Sequence, residues 1–510
     1  MSAQNDPAVL ALIRGVLWPG FLGRAIPDWL RHELAGGLAG AVLFAQNIDE
    51  HDPEQLPGLT SAMRSVANHP LIGIDEEGGN VTRLEAARGS TLPGHAQLGA
   101  VDDEELTRAT GGELARRVGA AGVNVALAPD ADVNTEPRNP VIGVRSFGTD
   151  PILVARHVAA MVEGIQAGGV VACAKHYPGH GDTSADSHTD LPRSNSDWGL
   201  MLREHLPPFD AAIAAGVRAI MTAHILVPGQ GARPATLNPA ILGSLRERGF
   251  TGTIVTDALD MAAIRGTVGS GPGAVQALIA GSDLLCIGNP ANPGNSGPAA
   301  DADAYFDVRR AISDAIDDGT LPLAVLERAA ANVADLGRWT DDCSGLRRAA
   351  GDARSPLVST DSIVAAAIRT GGRIPRLVGA VRVLDLRHRA TIAVATETDV
   401  FTTALAANGA SAESLRLGPV SNDAAPDTIR SAVSSAPDGL VVIVDRIGVS
   451  DPQAEAVAVI RSLRPDAVVI NVGMPTAEGA RVLGPIIETL GNSLASATVV
   501  ARMLRTGSKA

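Results

Sequence analysis

A chain of 510 residues with 45% hydrophobic and 19% charged residues is globular in composition, with material for two or three cores. A formal net charge of −14 and an aromatic content of 3% argue against partners such as nucleic acid or an anionic membrane, which call for basic surface or stacking platforms. The three cysteines, Cys173, Cys286 and Cys343, are odd in number and far apart, so they read as small core residues and not as a disulfide framework.

The opening residues, MSAQNDPAVLALIRGVLWPG, have no basic region before their short apolar run and no small-residue cleavage site after it. No run of about 18 apolar residues occurs. The expectation is a cytoplasmic enzyme. From there, short apolar runs alternate with longer amphipathic segments. The candidate strands are GVLWP (15–19), GAVLFA (40–45), LIGID (71–75), VNVALA (123–128), VVACA (170–174), RAIMTA (218–223), TIVTD (253–257) and DLLCI (283–287). Helical spacing fills stretches between them, as in residues 105–122 and 151–169. Continuous apolar strands alternating with helices predict a parallel sheet covered on its faces, and eight of them in about 290 residues fit a (β/α)₈ barrel.

Two helices follow in residues 301–350, then a linker rich in Ser, Asp and Gly. The strand–helix alternation resumes with VRVLDLR, TIAVAT, LVVIVDR and AVVINVG. The expected organisation is therefore a barrel with flanking helices over 1–345, a linker over 346–374 and a smaller α/β sandwich domain over 375–510. No GxGxxG follows the first strand of that domain and no P-loop is present, so a nucleotide role lacks support.

In a (β/α)₈ barrel the chemistry sits at the carboxyl ends of the strands. The polar residues that punctuate the strand list fall there: Asp75 after the third, Arg145 in the long loop after the fourth, Lys175 and His176 at the end of the fifth, His224 after the sixth and Asp257 after the seventh. Each has a plainer reading. Asp75 or Asp257 could cap a following helix, Arg145 could pair with a surface acid, and His224 could be a satisfied core histidine. Lys175 is harder to explain away. Of 42 basic residues only Lys175 and Lys509 are lysine, and a lysine at a buried strand end needs a partner or a ligand.

The stretch AKHYPGHGDTSADSH (174–188) admits three readings. As a metal site it offers His176, His180, Asp182 and His188, although no HExxH or HxH pattern is present. As a serine-hydrolase relay it lacks a GxSxG elbow. As a sugar pocket it fits well: Lys175 and His176 can donate to hydroxyls, and a Gly-rich loop carries Asp186 and His188, an acid able to hold one ring nitrogen while the other exchanges a proton.

KHYPGHGDTSADSH closely resembles the signature of bacterial β-N-acetylglucosaminidases of glycoside hydrolase family 3. The likeness extends through IGIDEEGGNVTRL, NPVIGVRSFG, FDAAIAAGVRAIMTAH, PATLNPAIL and IVTDALDM, over roughly residues 10–340, and the C-terminal domain resembles in architecture the second domain of two-domain members. The resemblance implies a retaining, two-step hydrolysis that needs no metal or organic cofactor. It makes Asp257 the nucleophile, His188 the acid/base and Asp186 its orienting partner, where most retaining glycosidases use two carboxylates about 5–5.5 Å apart. Asp75, Arg145, Lys175 and His176 carry over as ligands of the non-reducing-end sugar, with Arg83 in VTRL a further candidate. Some relatives have a second acid after the nucleophile where this chain has Ala258; Asp260 lies further on. With Asp186 and His188 on a barrel loop, the C-terminal domain is expected to supply no catalytic residue. The expected activity is exo-acting removal of terminal N-acetylglucosamine from cell-wall fragments, with a small carbohydrate as substrate and neither nucleic acid nor membrane as partner. A phosphorylase using phosphate as acceptor is the nearest alternative. A metal-dependent hydrolase built on the His/Asp cluster is the alternative from a different class.

Overall fold

A computed structural model describes residues 3–187, 190–292, 297, 299–352, 359–387, 399–417, 425–445, 447, 452–475 and 484–507. The chain forms two compact units. One comprises Met1–Glu77, Glu104–Asn139 and Thr149–Pro356; the other comprises Gly78–Asp103, Pro140–Gly148 and Leu357–Ala510.

The first unit is the barrel. Its strands are β1 (Leu17–Pro19), β2 (Gly40–Leu43), β3 (Leu71–Ile74), β4 (Val125–Ala126), β5 (Val171–Tyr177), β6 (Ala219–Thr222), β7 (Thr253–Val255) and β8 (Leu285–Gly288). Parallel ladders run in order from β2 to β7, β1 pairs with β8, and a parallel bridge between Val255 and Leu284 joins β7 to the start of the eighth strand. All eight expected strands are present. The fifth is longer than its apolar run, because the ladder carries through Lys175 and His176 to Tyr177.

Alternation explains what β5 does. Val171 and Cys173 join Trp18, Val42, Leu71, Val125, Met221 and Val255 in the barrel's inner core, so Lys175, two residues on, continues the inward face. The register with β6 then shifts between Ala174 and Tyr177. Beyond the shift, the Tyr177 ring meets Phe209 edge-on at 5.2 Å, and its hydroxyl lies 2.7 Å from that of Ser244. Space in the core is tight: a Cβ on Gly73 would fall 2.3 Å from the Trp18 ring, so β3 needs glycine at that position.

Helices Ala300–Asp317 and Leu323–Asp342 match the expected pair. Helices Ser344–Asp352 and Thr360–Ala367 and a short strand, β9 (Arg369–Gly371), occupy much of the segment expected as a linker.

In the second unit, β9 is joined by β10 (Ala380–Asp385), β11 (Ser411–Arg416), β12 (Gly439–Val444), β13 (Val468–Asn471) and β14 (Ile486–Glu488). The sheet order is β11-β10-β12-β13-β14-β9, parallel except for the β9 edge. Val381, Val383, Val441, Ile443, Val468 and Ile470 face one core, while Leu384, Val442, Val444 and Val469 face another. That period-two split, with helices on both faces, is the expected α/β sandwich. The expected strand TIAVAT lies outside the described residues. β11 has an exposed, polar sequence (SAESLR), which explains why hydrophobic patterning passes over it.

Residues 78–103 and 140–148 belong to this second unit through bonds that are long-range in sequence. Gln97 Nε2 donates to the Thr489 carbonyl and to Ser496 Oγ, each at 2.8 Å, and the Asn492 N–H donates to Asn80 Oδ1 at 2.6 Å. Among the described residues, no helix is long and apolar enough to cross a membrane.

Candidate active site

The site is built outward from β5. Lys175 Nζ lies 2.7 Å from Asp75 Oδ1, one residue past β3, and 2.7 Å from Glu77 Oε1. Lys175 and Glu77 are each only 2% exposed. Two carboxylates flank the one buried ammonium, an ion-paired arrangement that fixes the Asp75 side chain at the strand end. Sequence reasoning did not single out Glu77. Its signal was the run IDEEGG, in which one acid of three had to offset the lysine.

The neighbouring residue has a different partner. His176 Nδ1 lies 2.8 Å from Asp132 Oδ2, and Asp132 Oδ1 accepts from the backbone N–H of His176 at 3.3 Å and of His180 at 2.6 Å. Asp132 is fully buried. Burial pushes its carboxyl up, but His176 and His180 outweigh that and hold it below the ordinary range. Asp132 was also passed over; the clue was two acids in the otherwise apolar turn APDADVN after β4.

His180 is buried. Its Nδ1 lies 2.9 Å from Thr183 Oγ1 and its Nε2 lies 3.2 Å from Ser187 Oγ. Burial, only partly offset by Asp132, pushes its pKa down to about 4, so the ring is neutral near pH 7. Asp182 is taken up by Ser196 Oγ at 2.5 Å and Asn195 Nδ2 at 3.2 Å. The metal reading needed His176, His180, Asp182 and His188 to converge. Among the described residues, the group whose ligand atoms lie close enough to hold an ion is instead Asp130, Asp132 and His176. There the Asp132 carboxylate is already engaged by His176 and by two backbone N–H groups. His188 lies outside the described residues.

Asp257 follows β7, half-buried, with the Ala258 N–H donating to its Oδ1 at 2.7 Å. His224 stands behind it: Nε2 lies 2.9 Å from the Ala258 carbonyl and Nδ1 lies 2.8 Å from Thr236 Oγ1. His224 is fully buried and bonded to protein through both nitrogens, as in the plainer reading of a satisfied core histidine, and its Nε2 contact reaches the Asp257 turn. Asp260 is buried, with Asn292 Nδ2 donating to its Oδ2 at 3.0 Å. Asp186 is half-buried on the loop that begins at His180. The adjacent Ser187 carbonyl accepts from the Ala263 N–H at 3.3 Å, which ties that loop to the segment after Asp257.

The Cys173 thiol lies buried in the inner core below these groups. Burial raises its pKa to about 12, and it senses Lys175, Asp75 and Asp257 together. Asp75, Lys175, His176, Asp186 and Asp257 are all carried by the barrel unit. Arg83 and Arg145 are carried by the second unit. Both are buried; Arg145 ends a 3₁₀ turn, donates to the Val141 carbonyl at 3.2 Å and offers its own carbonyl to His95 Nδ1 at 2.7 Å. The His95 ring stacks on Phe147 at 4.3 Å.

Residues 21–336 match the Glycosyl hydrolase family 3 N terminal domain. The chain belongs to glycosyl hydrolase family 3. A solved family 3 β-N-acetylglucosaminidase from Paenibacillus sp. str. FPU-7 is similar along nearly the whole length, with a TM-score of 0.81, 28% identity, and coverage of 98% of this chain and 96% of that one. The β-hexosaminidase of Chromobacterium violaceum is 36% identical over 289 residues, 54% of this chain and 80% of that protein. Beta-hexosaminidase A of Pseudoalteromonas piscicida is 34% identical over 323 residues, 59% of this chain; the match spans 53% of that protein's length. A β-glucoside phosphorylase shares the fold at a TM-score of 0.72 and 17% identity. As a family 3 member the protein is a glycoside hydrolase by kinship, and its rim of acids, lysine and histidine is chemically suited to grip a polyol.

Proposed function

We propose that the protein is a retaining exo-β-N-acetylglucosaminidase acting on terminal non-reducing N-acetylglucosamine, with cytoplasmic cell-wall fragments as its substrate. The observation that carries this reading is the cluster at the β5 end, where Lys175 is held by Asp75 and Glu77 and His176 is held by Asp132, on the same unit as Asp257 after β7. Such an array offers donors and acceptors to sugar hydroxyls beside a carboxylate positioned by a backbone N–H.

In the first step an Asp257 oxygen attacks the anomeric carbon as the glycosidic C–O bond breaks, and the leaving oxygen takes the proton of His188, oriented by Asp186. In the second, water attacks the same carbon, returns a proton to His188, and the bond to Asp257 breaks. Histidine has an unperturbed pKa near 6.5, so it can serve as acid and then base near neutrality. Asp75, Lys175 and His176 bind the sugar, and His224 supports the Asp257 turn.

The test is nitrophenol release from the β-N-acetylglucosaminide and the β-glucoside after exhaustive chelation, with and without phosphate. N-acetyl-selective turnover that survives chelation supports the reading. A sugar-phosphate product moves it to a phosphorylase, and activity lost on chelation and restored by zinc moves it to metal-dependent hydrolysis.

A further inference from the structure

Asp132 has no place in the chemistry above, yet it is one of the most deeply placed charges in the barrel. Its two oxygens do different work. Oδ1 accepts from the backbone N–H groups of His176 and His180, while Oδ2 faces His176 Nδ1. Backbone N–H groups can only donate, so the carboxylate cannot turn over, and the atom opposite Nδ1 is always an acceptor. A carboxylate opposite Nδ1 requires a proton on that nitrogen. Nε2 of His176 then makes no hydrogen bond among the described residues, and the side chain is 9% exposed.

We propose that Asp132 is a positioning residue for the hydrolytic reaction: it locks His176 as the Nδ1–H form with the ring plane fixed, so that Nε2 alone is presented to the sugar. The His180 backbone hangs from the same carboxylate and its ring reaches Ser187, so one buried charge sets the height of the sugar-binding histidine and the start of the loop that carries Asp186. Asp132 touches no substrate atom and acts through His176. This rests on His176 being a sugar ligand, as proposed above, but its first test does not.

Asp132→Asn separates the two edges. The amide oxygen must stay on the side of the two backbone N–H groups, which turns the amide nitrogen, a donor, towards Nδ1. The ring must then shed its Nδ1 proton and carry one on Nε2. The experiment is ¹⁵N NMR of the histidine-labelled full-length protein at neutral pH, with His176 identified by the signal missing in His176→Gln. Nδ1 is expected to be protonated in the wild type and unprotonated in Asp132→Asn. An unprotonated Nδ1 in the wild type, or no change in the variant, overturns the proposal, and the wild-type spectrum decides even if the variant does not fold. The kinetic readout is a cycle: Asp132→Asn is expected to cost about 10²-fold in kcat/KM, but less than about threefold when introduced into His176→Ala. Equal losses in the two backgrounds would make Asp132 merely structural and overturn the proposal. Confirmed spectra in a protein without glycosidase activity would leave the positioning intact and sink only the assigned reaction.

Discussion

Each of the two sheets buries a charged pair at the carboxyl end of one of its parallel strands, and the pairs are built differently. In the second unit, Asp385 at the end of β10 takes both Nε and a terminal nitrogen of Arg387 at 2.9 and 2.8 Å, a fork between residues two apart. In the barrel, Lys175 is held by an acid 100 residues earlier and by a second one beside it, and His176 by an acid 44 residues earlier. The local pair matches donor to acceptor between near neighbours in sequence, with Asp445 and Asp399 adding to the negative field around the guanidinium. The barrel network is assembled from three strand ends and turns an imidazole nitrogen away from its partner. A fork between near neighbours in sequence marks a structural pair. Convergence of charged groups from distant segments marks a site.

The largest effect that would break this contrast is expected at Asp257. Asp257→Ala should lower turnover by at least about 10⁴-fold while the circular dichroism and melting curve stay as in the wild type; near-normal hydrolysis would remove it as nucleophile. His188→Gln should cost roughly 10²–10⁴-fold on alkyl glycosides and much less on activated aryl glycosides, whose leaving oxygen needs no proton. Equal losses on both would argue against an acid role.

Lys175→Arg sharpens the comparison directly. Charge is kept, but a planar fork cannot occupy the point between Asp75 and Glu77, so kcat/KM should fall about 10²-fold. Arg387→Met in the other pair should leave kcat/KM within about twofold while removing roughly 3–5 kcal/mol of stability in urea titration, because Asp385 is left buried without its partner. Activity lost in the second variant, or kept in the first, would erase the distinction.

The smallest effect is expected from His180. Its folded pKa of about 4 lies below the ordinary value of 6.5, so the unfolded chain binds its proton first as pH falls. The stabilisation is complete above about pH 6.5, declines between there and about pH 4, and is gone below, a swing of roughly 3 kcal/mol. Urea midpoints of the wild type should therefore fall more steeply over that window than those of His180→Gln; parallel curves would show that His180 is not held neutral.

Much of the architecture was legible because apolar runs of strand length are self-reporting. All eight barrel strands, the paired helices after them and the central strands of the second sheet are continuous hydrophobic stretches, whose burial on both faces is a property of their own residues. Edge elements were not. β11 is polar, β9 and β14 are three residues each, and their strand character comes from the ladder they join. Residues 78–103 and 140–148 read as barrel loops in sequence order, yet hydrogen bonds such as Gln97 to Thr489 assign them to the other unit.

The site divides along the same line. By itself the sequence determined which residue types were available and in what order: a solitary internal lysine, a histidine-rich glycine loop and an aspartate after the seventh strand. Only the tertiary structure decided how they are partnered. It recruited Glu77 and Asp132, which no spacing rule selects, bonded His224 to the Asp257 turn through the Ala258 carbonyl, and, among the described residues, placed neither His180 nor Asp182 in a group able to hold an ion. The reason is physical. A hydrophobic run states its burial locally, whereas the partner of a buried charge is fixed by whichever distant strand end the folded barrel unit brings within about 3 Å of it.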